Sequence, residues 1–353
     1  MANNTQQKAP PLLVVLAFAT VYVVWGSTYF FIQVAIHGFP PMMMGALRFL
    51  AAGIIMLTWC YFKGDKLWVA RDVRNSAISG LLMLGLANGI VIWVEQVLPS
   101  AMVAIMVSSG PIWFVVLDRA NWGINLRSRS TVTGLIIGFA GVILLFSEQL
   151  SQAMNQAYSP AKVWGVVLLI IGPMCWSGGS LFSKYNTSSS PARLNTAWQM
   201  IVAGFAFIPA ALFHNEFSGF DITQVPAKAW MAIVYLVFFG SIAAFTAYVW
   251  LLQVRPATQV STHAYVNPVI AVLLGVFFAQ EHISWIQIIG LVIILLSVLL
   301  INLAKYRTGH RAEAGKAIAT SLVAGKSAAI VKCCRTIKAS LNACSYKILS
   351  VVK

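Results

Sequence analysis

Acidic residues are scarce in this sequence: nine Asp and Glu stand against 24 Lys and Arg in 353 residues. Charge of either sign is scarce as well, at 9% of residues, where soluble domains carry about 25%. A chain that is 59% hydrophobic cannot cover a globular surface with polar groups, which excludes a soluble domain. The acids are also never paired in mid-run, so acid–base chemistry by two carboxylates within one apolar segment is excluded. HExxH, GxSxG and a phosphate-cradling Gly-rich loop are absent too. No cofactor or metal and no catalytic residue is expected. Five cysteines, Cys60, Cys175, Cys333, Cys334 and Cys344, have neither disulfide-framework nor metal-site spacing and read as reduced thiols.

Long apolar runs fill the space that charge leaves. About 20 apolar residues in a helix cross the hydrocarbon core of a bilayer. Ten such runs are legible: 12–36, 41–62, 75–96, 100–118, 130–147, 163–185, 195–213, 230–252, 259–279 and 285–304. Strand alternation is absent, so backbone satisfaction in lipid demands helices. The expected fold is all-α, a polytopic membrane protein of ten transmembrane helices. The first run follows a head with one positive charge, Lys8. It is longer than a signal-peptide core and reads as a retained span.

Basic residues set the orientation. With the N-terminus inside, the cytoplasmic loops hold Lys63, Lys66, Arg71, Arg74, Arg119, Arg127, Arg129, Lys184, Arg193 and Arg255, and the other side only Lys162 and Lys228. Both termini are therefore expected in the cytoplasm. Residues 305–353 form a basic tail with Glu313 as its one acid. Beside a membrane its partner is lipid, either from a disordered tail or from a helix lying on anionic headgroups, and not nucleic acid.

The chain also repeats itself. "ALRFLAAG" (46–53) resembles "AWQMIVAG" (197–204) at an offset of 151, which also pairs Trp25 with Trp176 and Pro40 with Pro191. Pro99 and Pro111 pair with Pro256 and Pro268 at 157, and Gly134 with Gly290 at 156. The expected organisation is an N-terminus over 1–11, a five-span repeat over 12–147, a second over 163–304 and the tail over 305–353. Five is odd, so the second repeat enters the membrane inverted. That arrangement is characteristic of secondary transporters, whose substrate sits at the repeat interface.

Together with the ten spans, "WGSTYF", "RFLAAG", "LPSAMVAIMVSSGPIW" and "AYVNPVIAVLLG" resemble the EamA-domain branch of the drug/metabolite transporter superfamily. The resemblance covers about residues 10–305. It implies a multi-pass protein of the bacterial inner membrane that exports amino acids or other small metabolites. A membrane-embedded enzyme and a sensor core with a ligand cavity are the alternatives.

Candidate site residues follow from polar and aromatic groups inside apolar runs. Trp25, Thr28 and Tyr29 share one helical face, with Ser27 beside them. They read either as helix packing or as the wall of a cavity, and Trp176 and Ser177 recur at the matching place in the second repeat. Ser108, Ser109, Tyr265 and Asn267 surround the prolines Pro111 and Pro268, where broken helices line cavities. Asn88 is a further polar group in mid-span. Arg48 lies deep in the second run, opposite Gln199 in the repeat, and is a candidate carboxylate anchor or gating group. Glu95 and His263 are the candidates for coupling to protons.

Overall fold

A computed structural model describes residues 9–94, 96–98, 100–154, 160–186, 190–279 and 283–302. The regular structure of the described residues is all helical, without a strand. In chain order the long helices are α1 (Pro11–Ile36), α2 (Pro41–Phe62), α3 (Ala70–Val94), α4 (Met102–Leu117), α5 (Arg129–Leu145), α6 (Pro160–Tyr185), α7 (Ala192–Phe213), α8 (Ala227–Val254), α9 (His263–Ala279) and α10 (Trp285–Asn302). Each expected span falls on one of them. Seven are long and apolar enough to cross a membrane alone. An eighth, α4, bends by 66° into the helical turns at Arg119–Asn125. The remaining two, α5 and α9, have 17 residues each, about 26 Å at the α-helical rise.

Proline sets many of the starts. Pro11 and Pro41 open α1 and α2, Pro160 opens α6, and Pro191 and Pro226 precede α7 and α8. The fixed φ of proline suits a first turn, where its missing N–H has no acceptor to lose. The expected break near Pro111 is present, as a turn at Ser108–Ser109. Its expected counterpart at Pro268 is not. That proline lies inside α9, and the chain turns earlier, at Ser261–Thr262.

Neither proline nor glycine clusters announce the other irregularities. The segments Leu81–Ala87 in α3 and Leu236–Ala243 in α8 are π-helical. π-helix is rare and is frequently found at functional sites. Both fall in the third long helix of their half of the chain.

Glycine allows a close approach between α2 and α7. A methyl group on Gly53 would lie 2.8 Å from Ile201 Cγ1, and one on Gly204 would lie 2.6 Å from Leu50 Cγ. The two contacts pair residues in opposite order, so the helices run antiparallel. Each end of the pair carries an acid. Asp65, just past α2, accepts two bonds from Arg193 in the first turn of α7, at 2.7 and 2.8 Å. Glu216, just past α7, accepts from the amides of Met42 and Met43 in the first turn of α2, at 3.1 and 2.7 Å. Asp65 and Glu216 stand 151 residues apart, the offset of the repeat.

The Arg193 guanidinium, by hydrogen bond first and by charge second, holds the Asp65 carboxyl below its ordinary value. A depressed carboxylate contributes stability that is present above its unfolded value and is lost as pH falls through the folded one. The melting temperature of Asp65→Asn is therefore below wild type at pH 7. The gap closes as pH drops below about 4. It is small at every pH, because both partners are partly exposed and solvent screens them. Thermal melts of the two proteins across pH check the sign.

Candidate functional site

The polar and aromatic residues of the apolar runs converge on a cavity of about 460 Å³. Small-molecule sites typically occupy about 300–1,000 Å³. Its walls come from both halves of the chain. From the first half, α1 contributes Trp25, Thr28, Tyr29 and Gln33, α2 Arg48 and Phe49, and α3 Asn88. From the second, α6 contributes Pro173 and Trp176, α8 Gly240, Ser241 and Phe245, and α9 His263 and Asn267. Along α1 the lining runs from mid-helix toward the Ile36 end.

Four rings close the deep end. Trp25 meets Trp176 edge-on at 5.5 Å between centroids, Tyr248 at 5.0 Å and His263 at 5.1 Å. Trp176 lies 5.5 Å from Tyr248 and 6.2 Å from His263, and Tyr248 lies 5.2 Å from His263. Edge-to-face and tilted pairs place the positive ring edge on the negative face of a neighbour. Hydrogen bonds then fix each ring. Trp25 Nε1 donates to the Gly240 carbonyl at 3.0 Å, inside the second π segment. Trp176 Nε1 donates to Tyr248 Oη at 3.0 Å, and that hydroxyl also bonds Ser180 Oγ at 2.7 Å. His263 Nδ1 lies 3.0 Å from the Val260 carbonyl, which can only accept, so Nδ1 carries a proton.

The π segments position polar groups along the wall. Asn88 follows the first and donates to the Met83 carbonyl at 3.1 Å, inside that segment. Ser241 lies within the second and accepts from Arg48 Nε at 2.8 Å. Widening the helical turn in this way frees backbone carbonyls and re-aims side chains without ending the helix.

Beyond the ring cluster, toward the Phe62 and Tyr185 ends, hydrogen bonds cross between helices. Gln199 Nε2 donates to Ser79 Oγ at 2.9 Å and to Ser183 Oγ at 3.3 Å. Asp72 accepts from the Ser190 amide and hydroxyl. Tyr185 Oη donates to Asp118 at 2.5 Å, and Lys184 Nζ donates to the Leu252 and Arg255 carbonyls. The repeat mates Arg48 and Gln199 thus lie on opposite sides of the rings.

Of the expected site residues, Trp25, Thr28, Tyr29, Arg48, Asn88, Trp176, His263 and Asn267 line the cavity. Five others do not, and their hydroxyls bond within or between helices. Ser27 Oγ bonds the Val24 carbonyl and Tyr235 Oη, each at 2.7 Å. Ser108 donates to the Ala264 carbonyl and Ser109 to the Met106 carbonyl. Ser177 donates to the Gly110 carbonyl and Tyr265 to the Leu135 carbonyl. Glu95 lies outside the described residues. Sequence reasoning missed Tyr248, Phe245 and Ser241. A serine directly after glycine in the apolar run "VFFGSIAAF" is the signal that could have found Ser241.

Comparison with known proteins follows the same lines. The family described as the EamA-like transporter family matches residues 12–147 and 163–303. "Uncharacterized inner membrane transporter YedA" of Escherichia coli strain K12 is 37% identical over 293 residues, covering 82% of this chain and 90% of its own. "Uncharacterized transporter YoaV" of Bacillus subtilis is 23% identical over 80% of this chain and 94% of its own, and "Protein PecM" of Dickeya dadantii 24% identical over 79% and 89%. A solved crystal structure has the same fold, with a TM-score of 0.69 at 18% identity over 84% of this chain and 98% of its own. The family match across both halves, and the extent of the Escherichia coli likeness, establish that this chain belongs to the EamA-like transporter family.

Proposed function

We propose that the chain is a secondary transporter that exports small metabolites across the bacterial inner membrane by alternating access. Both termini are cytoplasmic, and the second five-helix repeat is inverted relative to the first. One observation carries the reading: a cavity of about 460 Å³ lined by both halves, ending where the repeat mates Trp25 and Trp176 meet edge to face. The inner-membrane assignment is supported by the name of the Escherichia coli relative and by the apolar helices.

The antiparallel packing of α2 on α7 supports the inversion, since these helices are sequence mates. Two similar halves related by inversion make the two access states similar in energy. The cavity occupies one side of the rings, and polar side chains are bonded together on the other. Exchange of these roles would open a path through Ser79, Ser183 and Gln199. Proteoliposomes containing the full chain and preloaded with single amino acids or aromatic metabolites should show counterflow of at least one solute. That solute should lower thiol labelling of Leu274→Cys, in the cavity, while raising labelling of Ser183→Cys, beyond the rings. Labelling that stays fixed for a solute in counterflow would rule out alternating access. Absence of counterflow across the panel would rule out transport of these classes.

A further inference from the structure

We infer that the cavity selects a monoanion: an aromatic carboxylate carrying one further hydrogen-bond donor, with Arg48 as its carboxylate anchor. The inference rests on the transporter reading above and adds the class of substrate.

Among the described residues that line the cavity, Arg48 is the one Asp, Glu, Lys or Arg. It is 9% exposed. Its Nε donates to Ser241 Oγ at 2.8 Å, and its guanidinium carbon lies 5.0 Å from the centroid of the Phe49 ring. Neither contact neutralises it. A serine hydroxyl orients the fork but brings no charge, and no Asp or Glu is among the described residues that line the cavity. A buried cation at this depth needs a counter-charge. The terminal nitrogens, left free by the Ser241 bond at Nε, present two parallel N–H groups, the pattern that matches a carboxylate.

The remaining wall fixes the rest of the ligand. Arg48 is the single Lys or Arg among the described lining residues, so a second negative charge finds no partner there and dianions are disfavoured. No Asp or Glu is among the described residues that line the cavity, so an ammonium group finds no counter-charge there, and a zwitterion gains nothing from them at its cationic end. Trp25, Trp176, Phe49 and Phe245 supply apolar and π surface for a ring. Asn267 is 7% exposed, and its Oδ1 has no hydrogen-bond partner. A buried acceptor left unpaired is costly. It points to a ligand that donates there through a hydroxyl or ring N–H.

Competition binding to the detergent-solubilised full chain tests this with a matched series: 4-hydroxyphenylacetate (anion), tyramine (cation), tyrosol (neutral), tyrosine (zwitterion) and phenylacetate (anion without the donor). Radiolabelled 4-hydroxyphenylacetate is expected to bind. Tyramine, tyrosol and tyrosine should each compete at least about tenfold more weakly, and phenylacetate should fall between them and the parent acid. Arg48→Gln should weaken binding of the acid by about tenfold or more and erase the preference over tyrosol, whereas Arg48→Lys should keep the preference. Tyrosol or tyramine competing as well as the acid overturns the inference, as does undetectable binding of the acid at millimolar concentration. So does a folded Arg48→Gln variant that binds like wild type. If that variant does not fold, the wild-type competition order decides. Counterflow of 4-hydroxyphenylacetate in proteoliposomes separates the two readings. Selective binding without counterflow leaves the selectivity standing and removes transport of this acid; counterflow of other solutes without selective binding does the reverse.

Discussion

Replacing Gly80 with valine abolishes the folded protein. Gly80 ends the α-helical part of α3, immediately before the π segment at Leu81–Ala87. A Cβ at this position would lie 2.4 Å from the Gln199 carbonyl oxygen, 2.6 Å from Gln199 Cα and 2.9 Å from its carbonyl carbon. All three are backbone atoms in the middle of α7, so no side-chain rotation can relieve the clash. Overpacking that side chains absorb costs about 1–3 kcal/mol; here the helices themselves must separate. Separation would also break the bonds from Gln199 to Ser79 and Ser183, which leaves buried polar groups unpaired. Gly123 has open space where its Cβ would lie, so Gly123→Ala provides the control with yield unchanged. Size-exclusion profiles of the two variants and wild type, expressed side by side, give the answer. A monodisperse Gly80→Val protein at wild-type yield would show that α3 and α7 do not hold this contact.

The fold was largely legible because lipid removes most of the choices. Apolar length gives the spans, and prolines such as Pro41 and Pro191 mark where several begin. The π segments were not legible, since "LLMLGLA" and "LVFFGSIA" contain nothing that forbids an ordinary α-helix. The second is tied to its neighbours: Gly240 gives its carbonyl to Trp25, and Ser241 receives Arg48. Such contacts are tertiary, and a single helix does not encode them.

The site was legible in part for a related reason. Bulky or charged groups such as Trp25, Trp176, Arg48 and His263 need space or polar partners, and the cavity wall offers both. Hydroxyls do not discriminate in this way. In an apolar helix a serine reaches its own preceding turn, as Ser109 does at Met106, or a carbonyl on the next helix, as Ser177 does at Gly110. Helical spacing is the same for all these outcomes, so Ser27, Ser108 and Tyr265 had the pattern of a site and the contacts of packing. Tyr248 failed to register for the opposite reason. It is fully buried, and its role is to hold Trp176 and complete the ring cluster from behind.

Trp25→Ala and Trp176→Ala each lower transport per folded molecule by about tenfold or more, because each deletes a ring that closes the deep end of the cavity. Both also lower stability, since truncating a packed tryptophan costs about 3–5 kcal/mol. The phenylalanine variants separate the two effects, because they keep a ring and remove only the indole N–H. In Trp25→Phe the Gly240 carbonyl loses its donor inside the π segment, a penalty of about 1–3 kcal/mol for a buried unpaired group. In Trp176→Phe the Tyr248 hydroxyl keeps its bond to Ser180, so the loss is smaller. The expected order of melting temperature is wild type, then Trp176→Phe, then Trp25→Phe, with both alanine variants lowest. Counterflow of a solute that the wild-type chain moves, divided by folded protein, is the second readout. If it stays at the wild-type level in both alanine variants while their yield falls, the rings serve packing alone and the substrate does not pass between them. If it falls in both, and Trp25→Phe retains transport despite its lower melting temperature, ring surface at the repeat interface contacts the substrate.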